Sequence, residues 1–95
     1  MNTPKILSVQ PSENKRLRVK FIGGAEKIYD CSPLLHLEVF QILNNEAFFK
    51  AVKVDPGGYG ISWNDEVDLS EYELWTKGVE VPVAPAPVKP TPTTA

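Results

Sequence analysis

The sequence is poor in the residue types that build the commonest chemical sites. Its 95 residues include one cysteine, Cys31, and one histidine, His36. A lone cysteine forms no internal disulfide, and these two residues are too few for a structural zinc site. Because a proline-started turn separates them, their side chains are not expected to meet as a nucleophile and its base. We therefore expect no disulfide framework, no metal site, no cofactor and no catalytic dyad.

Long apolar runs are also missing. The N-terminal residues lack the apolar stretch of a signal peptide, and no run in the chain approaches the roughly 20 residues that span a bilayer. These two absences predict a cytoplasmic protein with no membrane segment.

Positive charge is in slight deficit, and it is unevenly divided. Ten Lys and Arg against twelve Asp and Glu give a net charge of −2, the wrong sign for a protein that coats nucleic acid non-specifically. Residues 1–53 hold eight basic against five acidic residues, a net charge of +3, whereas residues 54–95 hold two against seven, a net charge of −5. The first half is therefore where a basic surface is expected.

The end of the chain differs in composition from the rest. Residues 82–95 contain five prolines with Val, Ala and Thr, one charge at Lys89 and no aromatic residue. Such a segment contributes little to a hydrophobic core and favours an extended conformation. The composition predicts a folded domain over residues 1–81 and a Pro-rich tail over residues 82–95, either flexible or docked on a neighbour.

Alternation of apolar and basic residues predicts a β-hairpin in the first third. Leu17, Val19 and Phe21 occupy every second position, which is the period of a half-buried strand. The following Gly23 and Gly24 favour a two-residue turn, which would place Val19 opposite Ile28. In that register the face turned away from the core carries Arg16, Arg18, Lys20, Lys27 and Tyr29.

Turn and capping signals divide the remainder into short elements. Ser70 and Glu73 match a capping box that opens a helix over 71–77, with Leu69 and Leu74 as a hydrophobic staple and Gly78 as a left-handed C-terminal residue. Other signals predict a strand over 6–9, a turn over 10–14 and a helical turn capped by Ser32. They predict an irregular and partly extended connector over 36–43, followed by a short helix capped by Asn44 or Asn45. Two further strands, over 52–54 and 59–63, are expected on either side of a turn over 55–58. The predicted fold is α+β: a single domain with a mostly antiparallel sheet of about five short strands and short helices packed on it.

The acidic stretch before the last helix has a structural explanation. Its carboxylates lack the spacing of a calcium loop, and acidic residues before a helix are favoured by capping and by the helix dipole. Asp30 and Asp68 precede turns and are each well placed to accept a hydrogen bond from a backbone amide.

Scattered apolar and turn residues form one ordered pattern over residues 5–79. They are Asp30, Ser32, Pro33, Leu34, Leu35, Phe49, Val52, Val54, Asp55, Gly58, Tyr59, Ile61, Trp63, Asp68, Leu69, Leu74, Trp75 and Gly78. The pattern resembles the small bacterial family named domain of unknown function 2442. The chain departs from it at Asp65 and Glu66, where the family has an Asn-Gly turn, and beyond Gly78, where some members have a helix-turn-helix.

The resemblance implies a binding partner rather than a substrate, because members are frequently encoded beside another small protein in a toxin–antitoxin-like pair. We therefore expect a non-catalytic interaction module that binds a small protein, with homo-oligomerisation as a further option. The candidate contact residues are Arg16, Arg18, Lys20, Lys27, Tyr29, Trp63 and Trp75. The alternative is a nucleic-acid-associated regulator that uses the same basic hairpin face.

Overall fold

The computed structural model describes residues 3–81, so the predicted tail over residues 82–95 lies outside the described residues. The strands are β1 (Ile6–Ser12), β2 (Arg16–Phe21), β3 (Glu26–Asp30), β4 (Lys53–Val54), β5 (Gly60–Ser62), β6 (Asp68–Ser70) and β7 (Val79–Glu80). The α-helices are α1 (Glu46–Phe49) and α2 (Glu71–Lys77), and 3-10 helical turns cover Glu13–Lys15, Ser32–His36, Glu38–Asn44 and Pro56–Gly58.

Two antiparallel sheets share one hydrophobic core. The larger sheet has the order β1-β2-β3-β7 and the smaller the order β4-β5-β6. The α+β prediction is confirmed, with seven strands in two sheets where about five were expected. The core side chains come from both sheets and from both α-helices, and the largest fully buried ones include Phe21, Phe49, Leu17 and Leu43.

The hairpin of β2 and β3 forms as predicted, but in a different register. Val19 pairs with Lys27, and Leu17 pairs with Tyr29. The Phe21 amide donates to the Ala25 carbonyl, so the loop contains three residues, 22–24, rather than two. Because strand side chains alternate between the two faces, this shift of one position turns every β3 side chain to the face opposite the expected one.

The first strand is longer than expected and is irregular at two points. It continues to Ser12 because residues 10–12 pair with residues 16–18, so the expected turn is confined to Glu13–Lys15, with left-handed backbone at Asn14 and Lys15. The pairing shifts between Ile6 and Ser8, which leaves Leu7 as a bulge. Pro11 lies within this strand, opposite the buried Leu17 of β2.

The segment over residues 36–43 is helical rather than extended. It continues into the 3-10 turn Glu38–Asn44, which buries Leu43 and leaves Val39 and Ile42 exposed, as is Leu37 just before it. Because side chains three residues apart align in a 3-10 helix, one apolar row faces the core and another faces outward. The segment lacks the period of an α-helix or a strand, which is why its sequence predicts a partly extended connector in place of the 3-10 helix.

Capping explains where both α-helices begin. The Asn45 side chain accepts a hydrogen bond from the Phe48 amide at 3.0 Å, and Ser70 accepts one from the Glu73 amide at 3.1 Å, as predicted. The helix over 71–77 is confirmed to the residue. Gly78 is not left-handed, with φ −72° and ψ 150°. It is required for space instead, since a Cβ there would lie 2.5 Å from the Leu74 carbonyl oxygen.

The turn between β4 and β5 brings the smaller sheet against β1. Gly57 and Gly58 have positive φ, in the predicted turn. A Cβ on Gly58 would lie 2.6 Å from the Ile6 carbonyl oxygen. Backbone therefore packs on backbone at this junction of the two sheets. Within residues 3–81, the structure contains no helix with the length and apolarity that crossing a bilayer requires.

Replacing Gly58 with alanine should destabilise the protein more than the same change at Gly24. Both positions have positive φ, for which alanine costs about 1–2 kcal/mol, but a Cβ on Gly24 would meet nothing within 4 Å. Urea unfolding, followed by tryptophan fluorescence, measures the two free energies of unfolding. We expect Gly58→Ala to lose at least about 1 kcal/mol more than Gly24→Ala, in view of the added steric contact. Equal losses would show that the junction has room for a side chain.

Candidate partner-binding site

The four-stranded sheet presents one face to the core and the other outward. On β2 the side chains of Leu17, Val19 and Phe21 are buried, so Arg16, Arg18 and Lys20 project from the outward face. These three are the part of the predicted basic face that the structure brings together. Beside them on the same face lie Ser8, Gln10 and Ser12 of β1, Glu26, Ile28 and Asp30 of β3, and Val79 of β7.

Acidic side chains of β3 lie among these cations. Glu26 forms an ion pair with Arg18 and is the register partner of Lys20, while Asp30 is the register partner of Arg16. The ion pairs of the described residues are Lys5–Glu71, Lys15–Glu46 and Arg18–Glu26. Within residues 3–81, Arg16 and Lys20 therefore lie opposite carboxylates without forming an ion pair. The three cations of β2 and the two carboxylates of β3 together give the outward face a net charge of only +1.

Lys27 and Tyr29 do not belong to this face, which corrects the predicted set. The three-residue loop turns both side chains toward α2. The Lys27 ammonium lies 4.1 Å from the centre of the Trp75 ring and donates to the Trp75 carbonyl at 2.5 Å. A cation at the last carbonyls of a helix stabilises the negative end of its dipole. Lys27 thus anchors the end of α2 to β3.

Tyr29 is buried, with 4% of its surface exposed, and its hydroxyl donates to a Glu73 carboxylate oxygen at 2.8 Å. Burial, and then this hydrogen bond to a carboxylate, raises the pKa of Tyr29 far above its ordinary value. The same bond explains why only half of the capping box forms. Glu73 reaches β3 instead of turning back to the Ser70 amide.

The two tryptophans are core or half-buried residues rather than a shared exposed surface. Trp63 is 7% exposed, stacks on Phe49 and donates from its indole nitrogen to the Phe49 carbonyl at 2.8 Å. Trp75 is half-buried and packs edge-to-face on Phe21, with ring centres 5.0 Å apart. The expectation of a contact surface around Trp63 is corrected by its burial.

A cleft of about 500 Å³ adjoins the outward face. It lies where β3 ends, between α2 and the turn over Ser32–His36. Its lining residues are Arg16, Ile28, Tyr29, Asp30, Pro33, Leu34, Glu73, Lys77 and Val79. Arg16 is thus shared by the cleft and the outward face. Sequence reasoning missed Glu73 and Lys77 here, because it assigned Glu73 to capping alone.

Asp30 and Asn64 each organise a turn by accepting hydrogen bonds from backbone amides. Asp30 accepts a hydrogen bond from the Ser32 amide at 2.9 Å, as predicted, and this bond lowers the pKa of its carboxyl. Asp68 is an exposed residue of β6, and within residues 3–81 its carboxylate accepts no hydrogen bond from a backbone amide, contrary to the prediction. The turn that departs from the family pattern is organised by Asn64, whose side chain accepts from the Glu66 and Val67 amides at 2.8 Å. This Asx-type turn does not require the glycine that the family has.

Cys31 and His36 are separated by burial. Cys31 is fully buried and free, and burial raises the pKa of its thiol to about 12. His36 is exposed. Within the part of the chain that the structure describes, no three His, Cys, Asp or Glu side chains are grouped as a metal site.

Removing the Tyr29 hydroxyl should destabilise the protein and change its response to alkali. Tyr29→Phe should lose about 1.5–3 kcal/mol, the range for a hydrogen bond to a charged group. Because the folded-state pKa of Tyr29 is raised, its stabilising contribution is complete below the unfolded-state pKa of about 10 and is lost as pH rises through the folded value. The variant should therefore lose less stability than the wild type above pH of about 10.

Tyr72→Phe is the matched control, since Tyr72 is 64% exposed and should change neither quantity. Urea unfolding between neutral pH and the alkaline limit measures both effects. The alkaline loss from Cys31 should persist in every variant, because the raised pKa of its thiol acts in the same direction. If the two phenylalanine variants behaved alike, the bond between Tyr29 and Glu73 would carry no stability.

Comparison with known proteins gives one result. No curated protein and no solved structure matches the chain. The model of the family described as protein of unknown function (DUF2442) matches residues 6–89. Since that match covers most of the 95 residues, the chain belongs to the DUF2442 family.

Proposed function

We propose that this protein is a non-catalytic interaction module that binds a small protein partner through the outward face of its four-stranded sheet. The observation that carries the proposal is the arrangement of this face. One side of the sheet is occupied by the core, while the other presents Arg16, Arg18 and Lys20 in a row on β2. Cations in a row favour a partner with acidic side chains, through charge complementarity.

The family resemblance supports an antitoxin-like or accessory role in a two-protein bacterial system. In such a pair one small domain binds the other, and no reaction is required of it. The state of the single thiol supports a non-catalytic role. A nucleophile must be accessible and ionised, whereas Cys31 is fully buried and burial raises its pKa to about 12.

A nucleic-acid partner is the less favoured alternative. Binding to a phosphate backbone requires several cations free to displace counterions. Here Arg18 is paired with Glu26, and Asp30 lies opposite Arg16. A continuous row of phosphates would meet the interleaved carboxylates as well as the cations, whereas a protein surface can place acidic side chains at the cations and basic or polar ones at the carboxylates.

Charge reversal on the outward face should abolish partner capture. Arg18→Glu with Lys20→Glu reverses two cations of this face and leaves Arg16, which also lines the cleft. Affinity capture of the tagged full chain from its native host, with mass spectrometry, measures the recovered partner. Recovery should fall about tenfold or more, equivalent to about 1.4 kcal/mol, because two attractive charges become repulsive.

The control is Lys50→Glu with Lys53→Glu, which makes the same change of charge at two exposed lysines elsewhere. It should capture the partner as the wild type does. Capture by the outward-face variant at the wild-type level would refute the proposed surface. Recovery of nucleic acid that is removed by high salt, in place of a stoichiometric protein, would support the alternative.

A further inference from the structure

The cleft occupies a position that a further strand residue would fill. Along β3, the edge strand β7 pairs only with Lys27 and Ile28. Antiparallel pairing would next place residues 78 and 77 opposite Tyr29 and Asp30. Residue 77, however, is the last residue of α2, so the chain has not yet entered the sheet there. Within residues 3–81, the end of β3 therefore has no neighbouring strand on this side.

The main chain of β3 faces this gap. The Val81 amide donates to the Glu26 carbonyl, so Glu26 directs its main-chain groups toward β7. Because these directions alternate along an antiparallel strand, residues 28 and 30 do the same. The amide and carbonyl of Asp30 therefore point toward the cleft, in position to pair with an added extended segment.

The charged groups that line the cleft, Arg16, Lys77, Asp30 and Glu73, sum to zero, but the two cations are the ones open to an occupant. Arg16 and Lys77 line it, and neither belongs to any of the ion pairs found within residues 3–81. Each of the two lining carboxylates already accepts a hydrogen bond, Asp30 from the Ser32 amide and Glu73 from the Tyr29 hydroxyl. Two cations are thus available to an incoming carboxylate, while both acidic groups are partly satisfied from within the fold.

The remaining lining is apolar. Ile28, Pro33, Leu34 and Val79 form it, and Val79 is 71% exposed. A volume of about 500 Å³ is in the range of pockets that hold a ligand. Such a pocket beside a strand end combines main-chain pairing with a place for side chains, which are the two elements of peptide binding by strand addition.

We propose that the cleft binds a short extended segment of the partner protein, in which adjacent acidic residues are flanked by apolar ones. The segment pairs with the end of β3, its carboxylates engage Arg16 and Lys77, and its apolar side chains contact Leu34 and Val79. Successive side chains of an extended segment point to opposite sides, so two adjacent acidic residues serve both walls of the cleft. This inference rests on the proposed function, since it assigns the partner an anchoring segment.

The probe is the peptide acetyl-Ser-Leu-Glu-Glu-Leu-Ser-amide, and its uncharged counterpart has Gln in place of both Glu residues. Titration of the isotope-labelled full chain, followed by amide shifts in heteronuclear NMR, measures affinity and location together. We expect shifts concentrated at residues 28–34 and 77–79. The affinity of the uncharged peptide should be lower by a factor of about five or more, because its amides cannot form the ionic hydrogen bonds.

Lys77→Gln with Val79→Ser alters the cleft at two exposed side chains, which leaves the core intact. Affinity for the probe should fall about fivefold or more. The control variant, Lys50→Gln with Val39→Ser, makes the same two changes at exposed positions elsewhere and should bind as the wild type does. No shift at millimolar probe, equal binding of the two peptides, or shifts located around Lys20 would each overturn the assignment of the cleft.

Partner capture separates this inference from the proposed function. If the cleft variant captures the partner normally and the outward-face variant does not, the cleft is not the anchoring site and the proposed surface stands. If only the cleft variant loses the partner, the anchoring segment is supported and the outward face is not the principal contact.

Discussion

The three-residue loop between β2 and β3 decides which side chains connect the larger sheet to α2. With residues 22–24 in the loop, Tyr29 and Lys27 point to the core side. Tyr29 then reaches Glu73 near the start of the helix, and Lys27 reaches the Trp75 carbonyl near its end. A helix of seven residues has little stability alone, so these two contacts, with the buried Leu74, fix its position. The cleft depends on that position, since α2 forms one of its walls.

Local signals in the sequence predicted most of the elements, but not the register between two of them. The alternation at Leu17 and Val19, the cap at Ser70 and the turn at Gly57 are each determined by residues close together in the chain, and all three are present. A Gly-Gly pair, by contrast, permits hairpin loops of two or three residues. The contacts that each β3 side chain makes across the core decide between the two loop lengths, and those contacts cannot be predicted from the local sequence.

The candidate site was predictable to the same extent. Arg16, Arg18 and Lys20 share a face because they alternate along a single strand. Pairing predicts Lys27 and Tyr29 on that face, and residue type predicts a second contact surface at Trp63, but tertiary packing places all three elsewhere. The cleft joins residues of β2, β3, β7, α2 and a 3-10 turn, so no short stretch of sequence could indicate it. Glu73 illustrates the difficulty, because a cap residue and a partner for a buried tyrosine have the same local signature.

The irregular outer edge of β1 affects how copies of the sheet can associate. The two edges of the four-stranded sheet differ. At the β1 edge, Leu7 forms a bulge and Pro11 has no amide hydrogen. At the opposite edge, β7 leaves part of β3 unpaired within residues 3–81. A filament of sheets joined edge to edge needs two receptive edges in each copy, so that every addition creates a new place for the next. A sheet with one receptive edge ends its own growth once that edge is occupied. The same irregularity that shortens the regular pairing of β1 thus favours complexes of fixed size over open-ended assembly.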